Sequence, residues 1–127
     1  MKKILFIIML INASTSFICA KNNDDSSPSS VVKQFYEAVE KGDEKTINEL
    51  VVCFGKILST DKWLSSMWIE GNLKEQQETY TKGEGIIKLE EIIDENDAIV
   101  KIIWKNNGWQ EQRLKKINGK WKIRWCD

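Results

Sequence analysis

The chain contains no histidine, and this absence removes the most common general base, the usual nucleophile–histidine pairs and most zinc sites. Glycine-rich phosphate loops, Cys-x-x-Cys pairs and carboxylates at metal-ligand spacing are missing as well. The acidic run 94–97 lacks the ligand spread of an EF-hand loop and predicts a turn instead. We therefore expect a protein without a metal, a cofactor or an enzymatic activity.

Near the start of the chain, the apolar run Ile4 to Ile11 is only eight residues long, well short of the ~20 that a membrane-spanning helix needs. It follows two lysines and precedes small and polar residues, which is typical of a secretory signal peptide over residues 1–20. Either a peptidase cleaves after Ala20 and releases a soluble protein, or Cys19 becomes the lipid-modified first residue of a lipoprotein. We expect export to the periplasm or cell envelope, with membrane contact only through a lipid anchor.

The polar segment 21–27 is rich in Asn, Asp and Ser and is expected to be a disordered tether. Residues 28–127 have the size of a single domain. Two cysteines, Cys53 and Cys126, fall inside that domain. In an oxidising compartment they form a disulfide, or they remain two buried thiols.

Charge is distributed unevenly along the chain. Residues 21–97 hold 17 acidic and 9 basic side chains, whereas residues 98–126 hold eight basic side chains and one acidic one. One interpretation is that acidic helices pack beside a basic sheet and balance it. The other is a basic sheet face that binds an acidic partner, as an inhibitor or immunity-type protein would; its candidate residues are Lys101, Lys120, Lys122 and Arg124. Export argues against nucleic acid as the partner.

Apolar residues at three- and four-residue spacing predict three helices in the first half of the domain. The first begins at Pro28 after the cap Ser27 and ends before Gly42. The second begins after the cap Asp43, and its apolar stripe continues to Phe54.

The third helix is expected to begin after Ser59 or Thr60 and to extend to Thr81. Its first half is amphipathic, whereas its second half is polar almost all round. Gly71 lies between the two halves, so we expect a break or bend there.

From residue 86 onward the apolar period changes to two, which predicts strands. Asn-Gly pairs at 107–108 and 118–119 are typical of tight hairpins. The fold class predicted is α+β, with three N-terminal helices packed on a curved four-stranded antiparallel meander. Its strands are expected at residues 86–93, 98–105, 109–117 and 120–126.

Two segments resemble the nuclear-transport-factor-two-like superfamily. Pro28 to Asp43, read as P-x-x-V-V-K-Q-F-Y-E-A-V-x-K-G-D, resembles its opening helix, and Lys115 to Ile123, read as K-K-I-N-G-K-W-K-I, resembles its last hairpin. The chain is similar in particular to small exported bacterial domains of unknown function, many of them regarded as lipoproteins. The resemblance spans Pro28 to Cys126 and implies a curved sheet wrapped around helices as a cone with one open end.

The resemblance implies several functions. Some members of the superfamily bind small apolar ligands in the cone, others mediate protein contacts, many dimerise through the sheet, and a few are isomerases or dehydratases. Our leading hypothesis is an exported, envelope-tethered, non-enzymatic domain that binds an envelope protein or a small apolar ligand; a homodimer is compatible with it. The alternative is a lyase- or isomerase-like enzyme that uses Glu70 and a tyrosine inside the cone.

Aromatic residues are the remaining candidates for a ligand site. Six tryptophans in so small a domain mainly supply buried area to the core. Some could instead line a pocket for a flat or apolar ligand, and Tyr36 and Tyr80 could donate hydrogen bonds in it. The candidate pocket residues are Tyr36, Trp63, Trp68, Glu70, Trp104 and Trp109.

Overall fold

The computed structural model describes residues 27–126. The predicted signal peptide and the lipidation site Cys19 lie outside these residues, as does all of the predicted tether except Ser27. Within residues 27–126, no helix combines the length and the apolar character needed to span a bilayer.

The first two helices follow their predicted start signals. Helix α1, Pro28–Lys41, is capped by Ser27, whose hydroxyl accepts a hydrogen bond from the backbone of Ser30, and it ends at Gly42 with a positive φ of 69°. Helix α2, Glu44–Leu50, is capped by the Asp43 carboxylate. The predicted extension of this second helix to Phe54 is wrong, because the chain becomes extended after Leu50.

The third helix, α3, runs without interruption over Lys62–Gly83. The Asp61 carboxylate caps it by accepting hydrogen bonds from the backbone of Trp63 and Leu64. Both predicted details of this helix are wrong. The proposed caps belong to a short 3-10 helix, Leu58–Thr60, and the chain does not break at Gly71.

Alanine substitutions at the two glycines of α3 should have opposite effects on stability. At Gly71 an added Cβ meets open space, so Gly71→Ala should raise the free energy of unfolding by about 0.5–1 kcal/mol through helix propensity. At Gly83 an added Cβ would fall within the indole of Trp104, so Gly83→Ala should lower it by about 1–3 kcal/mol. Urea unfolding of both variants provides the measurement, and stabilisation by Gly83→Ala would contradict the packing described.

The sheet has six strands in the order β2-β1-β6-β5-β4-β3. Strands β1 and β6 pair in parallel, and all other neighbours pair in antiparallel fashion. Strands β3 to β6 form the predicted meander through successive hairpins. The six strands of the sheet have these bounds: β1 Val51–Cys53, β2 Lys56–Ile57, β3 Ile86–Asp94, β4 Asp97–Trp104, β5 Trp109–Ile117 and β6 Lys120–Cys126.

The prediction of a four-stranded antiparallel sheet is therefore correct for β3 to β6, but it omits β1 and β2 and the parallel pairing of β1 with β6. Residues 51–53 are all buried, and a short buried run carries no period that distinguishes a strand from a helix. β-branched residues at Val51 and Val52 favour the extended conformation. Pairing with β6 then supplies the backbone hydrogen bonds that this segment needs.

One face of the sheet is covered by the helices, and the core lies between them. Alternate residues of β4 are buried there, in the order Ala98, Val100, Ile102 and Trp104. Helix α1 packs across β4 and β6. At its centre, Phe35 meets the rings of Tyr36, Trp68 and Trp125 at centroid distances of 5.0–6.1 Å. Much of the space under the helices is thus filled by aromatic side chains.

Candidate ligand pocket

Tyr36 links α1 to the far side of the core through its hydroxyl. That hydroxyl donates a hydrogen bond to Gln76 Oε1 at 3.2 Å and accepts one from Gln110 Nε2 at 2.9 Å. Gln110 Oε1 in turn accepts a hydrogen bond from the indole N–H of Trp104 at 3.3 Å. These contacts fix the orientation of the Tyr36 ring because its only polar atom is held from two sides.

Burial raises the pKa of Tyr36 to about 12, although the hydrogen bond from Gln110 opposes part of that effect. The pKa of Tyr80 is also raised, first by burial and then by the negative charges of Glu40 and Glu37. Both phenols therefore stay protonated near neutral pH. They can donate hydrogen bonds, but they are poor general bases there.

Tyr80 extends the aromatic surface from the core to the outside. Its ring stacks on that of Tyr36 with centroids 6.2 Å apart and planes inclined by 17°. Both tyrosines meet the Trp104 indole edge-on, at centroid distances of 5.1 and 6.1 Å. Aromatic pairs of this kind contribute about 0.5–1.5 kcal/mol each beyond their buried area, so these contacts help to hold the two tyrosines against Trp104.

A half-open cavity of about 320 Å³ lies between α1, the end of α3 and the start of β3. Tyr36 and Tyr80 form one wall, and apolar residues of β3 form the other. We call this cavity the tyrosine pocket; its remaining lining residues are Lys33, Glu37, Ile86, Ile87, Lys88 and Leu89. Its volume falls in the range of small-molecule sites, and its charged side chains lie at exposed positions. A second surface cavity of about 440 Å³ shares Tyr80.

The six pocket residues proposed from the sequence do not come together in one site. Tyr36, Trp68 and Trp104 are all buried in the core, at 1–2% exposure, and of these three Tyr36 also lines the tyrosine pocket. Trp63, Glu70 and Trp109 are exposed and do not line the tyrosine pocket. Glu70 therefore does not lie between the sheet and the helices, where the alternative enzyme would need it as an acid or base.

The sequence reasoning missed the β3 wall of the pocket. The sequence predicts a strand that contains Ile86, Ile87 and Leu89. The prediction of a strand does not show that its first residues line a cavity together with two tyrosines. The sequence signal for this wall is the pair Ile86-Ile87, because two consecutive apolar residues interrupt the alternation of a half-buried strand. The structure has a β-bulge at this point, between Ile86 and Lys88. A bulge commonly re-aims side chains beside a functional site.

The two cysteines are joined in the structure. Cys53 of β1 and Cys126 of β6 are register partners, with Cα atoms 4.3 Å apart, and they form a disulfide. The bond covalently links the parallel pair of strands.

The four residues of the proposed basic face lie on β4 and β6, and three of them contact other residues of the chain. Lys101 sits between the register partners Glu90 and Glu111 and contacts the Trp109 ring at 4.6 Å. On β6, Lys120 is exposed. The other two are engaged within the chain: the Lys122 ammonium donates to Glu49 O at 2.7 Å, and Arg124 lies 3.8 Å from the Asp97 carboxylate.

Burial lowers the pKa of Lys122, and the nearby positive charge of Lys120 adds to that effect.

Across the described part of the chain, no group of three or more potential ligand side chains could hold a metal ion.

Comparison with known proteins shows the fold. No family model and no curated protein matches the sequence. A solved structure from Campylobacter jejuni, described as an NTF2-like transpeptidase, is similar in structure with a TM-score of 0.56. It is 18% identical in sequence, and the similarity covers 79% of this chain and 99% of that one. The chain thus has the NTF2-like fold that its resemblance to the nuclear-transport-factor-two-like superfamily implied.

Proposed function

We propose that this protein is a non-enzymatic binding domain whose tyrosine pocket receives an apolar or aromatic group of a ligand or partner. The observation that carries the proposal is the wall of two stacked tyrosines facing the apolar start of β3. Flat apolar surfaces that converge on a cavity with a few polar groups at the rim are typical of ligand sites. The NTF2-like fold is compatible with such a role.

Two observations favour binding over catalysis. The pKa values of both pocket tyrosines are raised, so neither supplies a base near neutral pH. The remaining ionisable groups that line the pocket, Lys33, Glu37 and Lys88, are exposed to solvent. Catalytic groups more often combine burial with a charged partner that shifts their pKa. The alternative enzyme loses support because Glu70, its proposed carboxylate, is exposed.

The proposal includes export to the cell envelope. Residues 1–20 have the order of a secretory signal peptide, and Cys19 would carry a lipid if that signal is processed as a lipoprotein signal. A disulfide between Cys53 and Cys126 fits an oxidising compartment. The name of the similar Campylobacter jejuni protein contains "transpeptidase", but the support for our proposal comes from the pocket.

Replacing Tyr80 should weaken the binding of a small aromatic probe. We expect Tyr80→Ala to raise the Kd of 8-anilinonaphthalene-1-sulfonate by about tenfold, because the truncation removes one aromatic wall and roughly 1.4 kcal/mol of contact free energy. Fluorescence titration of the folded protein provides the measurement.

The matched control is Trp109→Ala, which removes another aromatic side chain outside the pocket. Its Kd should equal that of the unmodified protein. Equal weakening by the two substitutions, or no effect of Tyr80→Ala, would contradict the assignment of the ligand to the tyrosine pocket.

A further inference from the structure

Strand β3 is an edge strand that continues past the tyrosine pocket. It is nine residues long, contains neither proline nor glycine, and pairs only with β4 among residues 27–126. The backbone N–H and C=O groups on the free edge of such a strand can pair with another extended chain. Its bulge between Ile86 and Lys88 interrupts only the beginning of the strand, which leaves residues 88–94 regular.

This strand is also unusually apolar for an exposed edge. Ile87, Ile92 and Ile93 are 64%, 72% and 50% exposed. Ile92 faces away from the helices, since its register partner is Ile99, whereas Ile93 pairs with the buried Ala98. Both faces of a strand added beside β3 would therefore find apolar neighbours.

Helix α1 lies beside β3 and contacts it at two places along its length. At the beginning of α1, Ser29 donates two hydrogen bonds to Glu91, from its backbone N–H at 3.0 Å and from its hydroxyl at 2.6 Å. Two turns further along α1, Tyr36 lines the tyrosine pocket together with the first residues of β3. The strand with the free edge thus also lines the pocket with its first residues.

The charges of this edge distinguish between a second copy and a different partner. Glu90, Glu91, Asp94 and Glu95 are acidic, and Lys88, the basic residue of β3, is paired with Glu90 at 2.9 Å. In the antiparallel register that pairs all of residues 88–94 with the same segment of a second copy, Glu91 lies opposite Glu91 and Lys88 lies opposite Asp94. A shift by two residues in either direction places Glu90 opposite Glu90 or opposite Asp94. Residues 88–94 hold three acidic side chains and one basic one, a net charge of −2. Two copies of this edge therefore repel each other overall, whereas a basic strand is attracted.

We infer that the β3 edge binds an extended segment of a partner protein as a seventh strand, with basic and apolar residues alternating along it. One apolar or aromatic side chain of that segment would enter the tyrosine pocket. In strand addition, main-chain hydrogen bonds give affinity and side-chain pockets give specificity. The inference rests on the proposed function, since it names the class of partner that the pocket serves.

The test uses a short synthetic peptide in which valine and lysine alternate around a central phenylalanine. Its binding to the folded protein is measured by calorimetry, and the amides of β3 are followed by hydrogen exchange. We expect slower exchange in β3 on binding. Glu90→Lys combined with Asp94→Lys should raise the Kd by about tenfold through lost charge complementarity.

Three controls accompany this experiment. Glu111→Lys reverses an exposed acid on β5, in the interior of the sheet, and should leave the Kd unchanged. A peptide with the same side chains but alternate N-methylated amides should not bind, because it lacks the donors that strand addition uses. Sedimentation of the protein alone should show no self-association through β3.

The outcomes separate the two proposals. If the small aromatic probe binds at Tyr80 but the peptide leaves β3 exchange unchanged, the strand-addition inference is overturned and the pocket function stands. If neither the probe nor the peptide depends on the tyrosine pocket, the proposed function fails and the inference fails with it. Self-association that protects β3 would also overturn the inference, in favour of a second copy.

Discussion

Phe35→Ala is expected to lower the free energy of unfolding by about 3–5 kcal/mol, the range for deleting a large buried aromatic side chain. Phe35 is 0% exposed and contacts the rings of Tyr36, Trp68 and Trp125. These neighbours belong to α1, α3 and β6, so the cavity left by the substitution lies where three elements meet. Aromatic side chains anchored on three elements cannot collapse easily into that space. Urea unfolding followed by tryptophan fluorescence provides the measurement.

Phe54→Ala is the matched control because it makes the same chemical change at a surface site. Phe54 is 59% exposed in the turn between β1 and β2 and adopts a positive φ of 53° in the structure. Alanine meets the same backbone strain there, so the free energy of unfolding should change by less than about 0.5 kcal/mol. Comparable losses for Phe35→Ala and Phe54→Ala would show that the aromatic cluster is not the centre of the core.

Removing the disulfide is expected to lower the free energy of unfolding by about 2–5 kcal/mol. The paired variant Cys53→Ala with Cys126→Ala breaks a crosslink between residues 73 positions apart. The unfolded chain gains freedom when so long a loop is opened, which favours unfolding. The native state also loses the covalent bond that joins the three-residue strand β1 to β6. Denaturant titration of the oxidised protein and the paired variant gives the difference.

Reductant supplies the control for this measurement. Dithiothreitol should destabilise the unmodified protein by a similar amount and should have no effect on the paired variant. If reductant shifts both proteins equally, or neither, then the disulfide does not contribute to the stability of the fold.

The elements with local signals could be predicted from the sequence, and those with distant partners could not. Ser27 and Asp43 cap their helices as predicted. The predicted tight hairpin forms at Asn118-Gly119, between the register partners Ile117 and Lys120, whereas residues 104–108 separate the register partners Ile103 and Trp109. Strands β1 and β2 have only three and two residues, and β1 pairs with the distant strand β6 as well as with β2. Local spacing therefore does not predict them. The apolar residues Leu50 and Val51 continue a helical spacing, so the local period favoured the wrong element there.

The tyrosine pocket depends on the continuity of α3, which Gly71 and the polar second half of the helix made difficult to predict. The sequence indicates Tyr36 and Tyr80 as candidate hydrogen-bond donors in a pocket, but it does not show that the end of α3 brings Tyr80 to Tyr36. A break at Gly71 would have left the direction of that segment undefined. Because α3 is continuous, it carries Tyr80 back to the ring of Tyr36. The position of Tyr80 in the pocket thus depends on α3 being one continuous helix, and helix propensity alone does not predict that α3 is continuous.

The interior position of β6 has a consequence for biogenesis. This strand lies between β1 and β5 in the sheet, although it is the last of the six to be synthesised. Until it emerges from the ribosome, the β1–β2 hairpin has no neighbour and the aromatic cluster lacks Trp125. The six-stranded sheet therefore cannot be completed on the nascent polypeptide before β6 has left the ribosome.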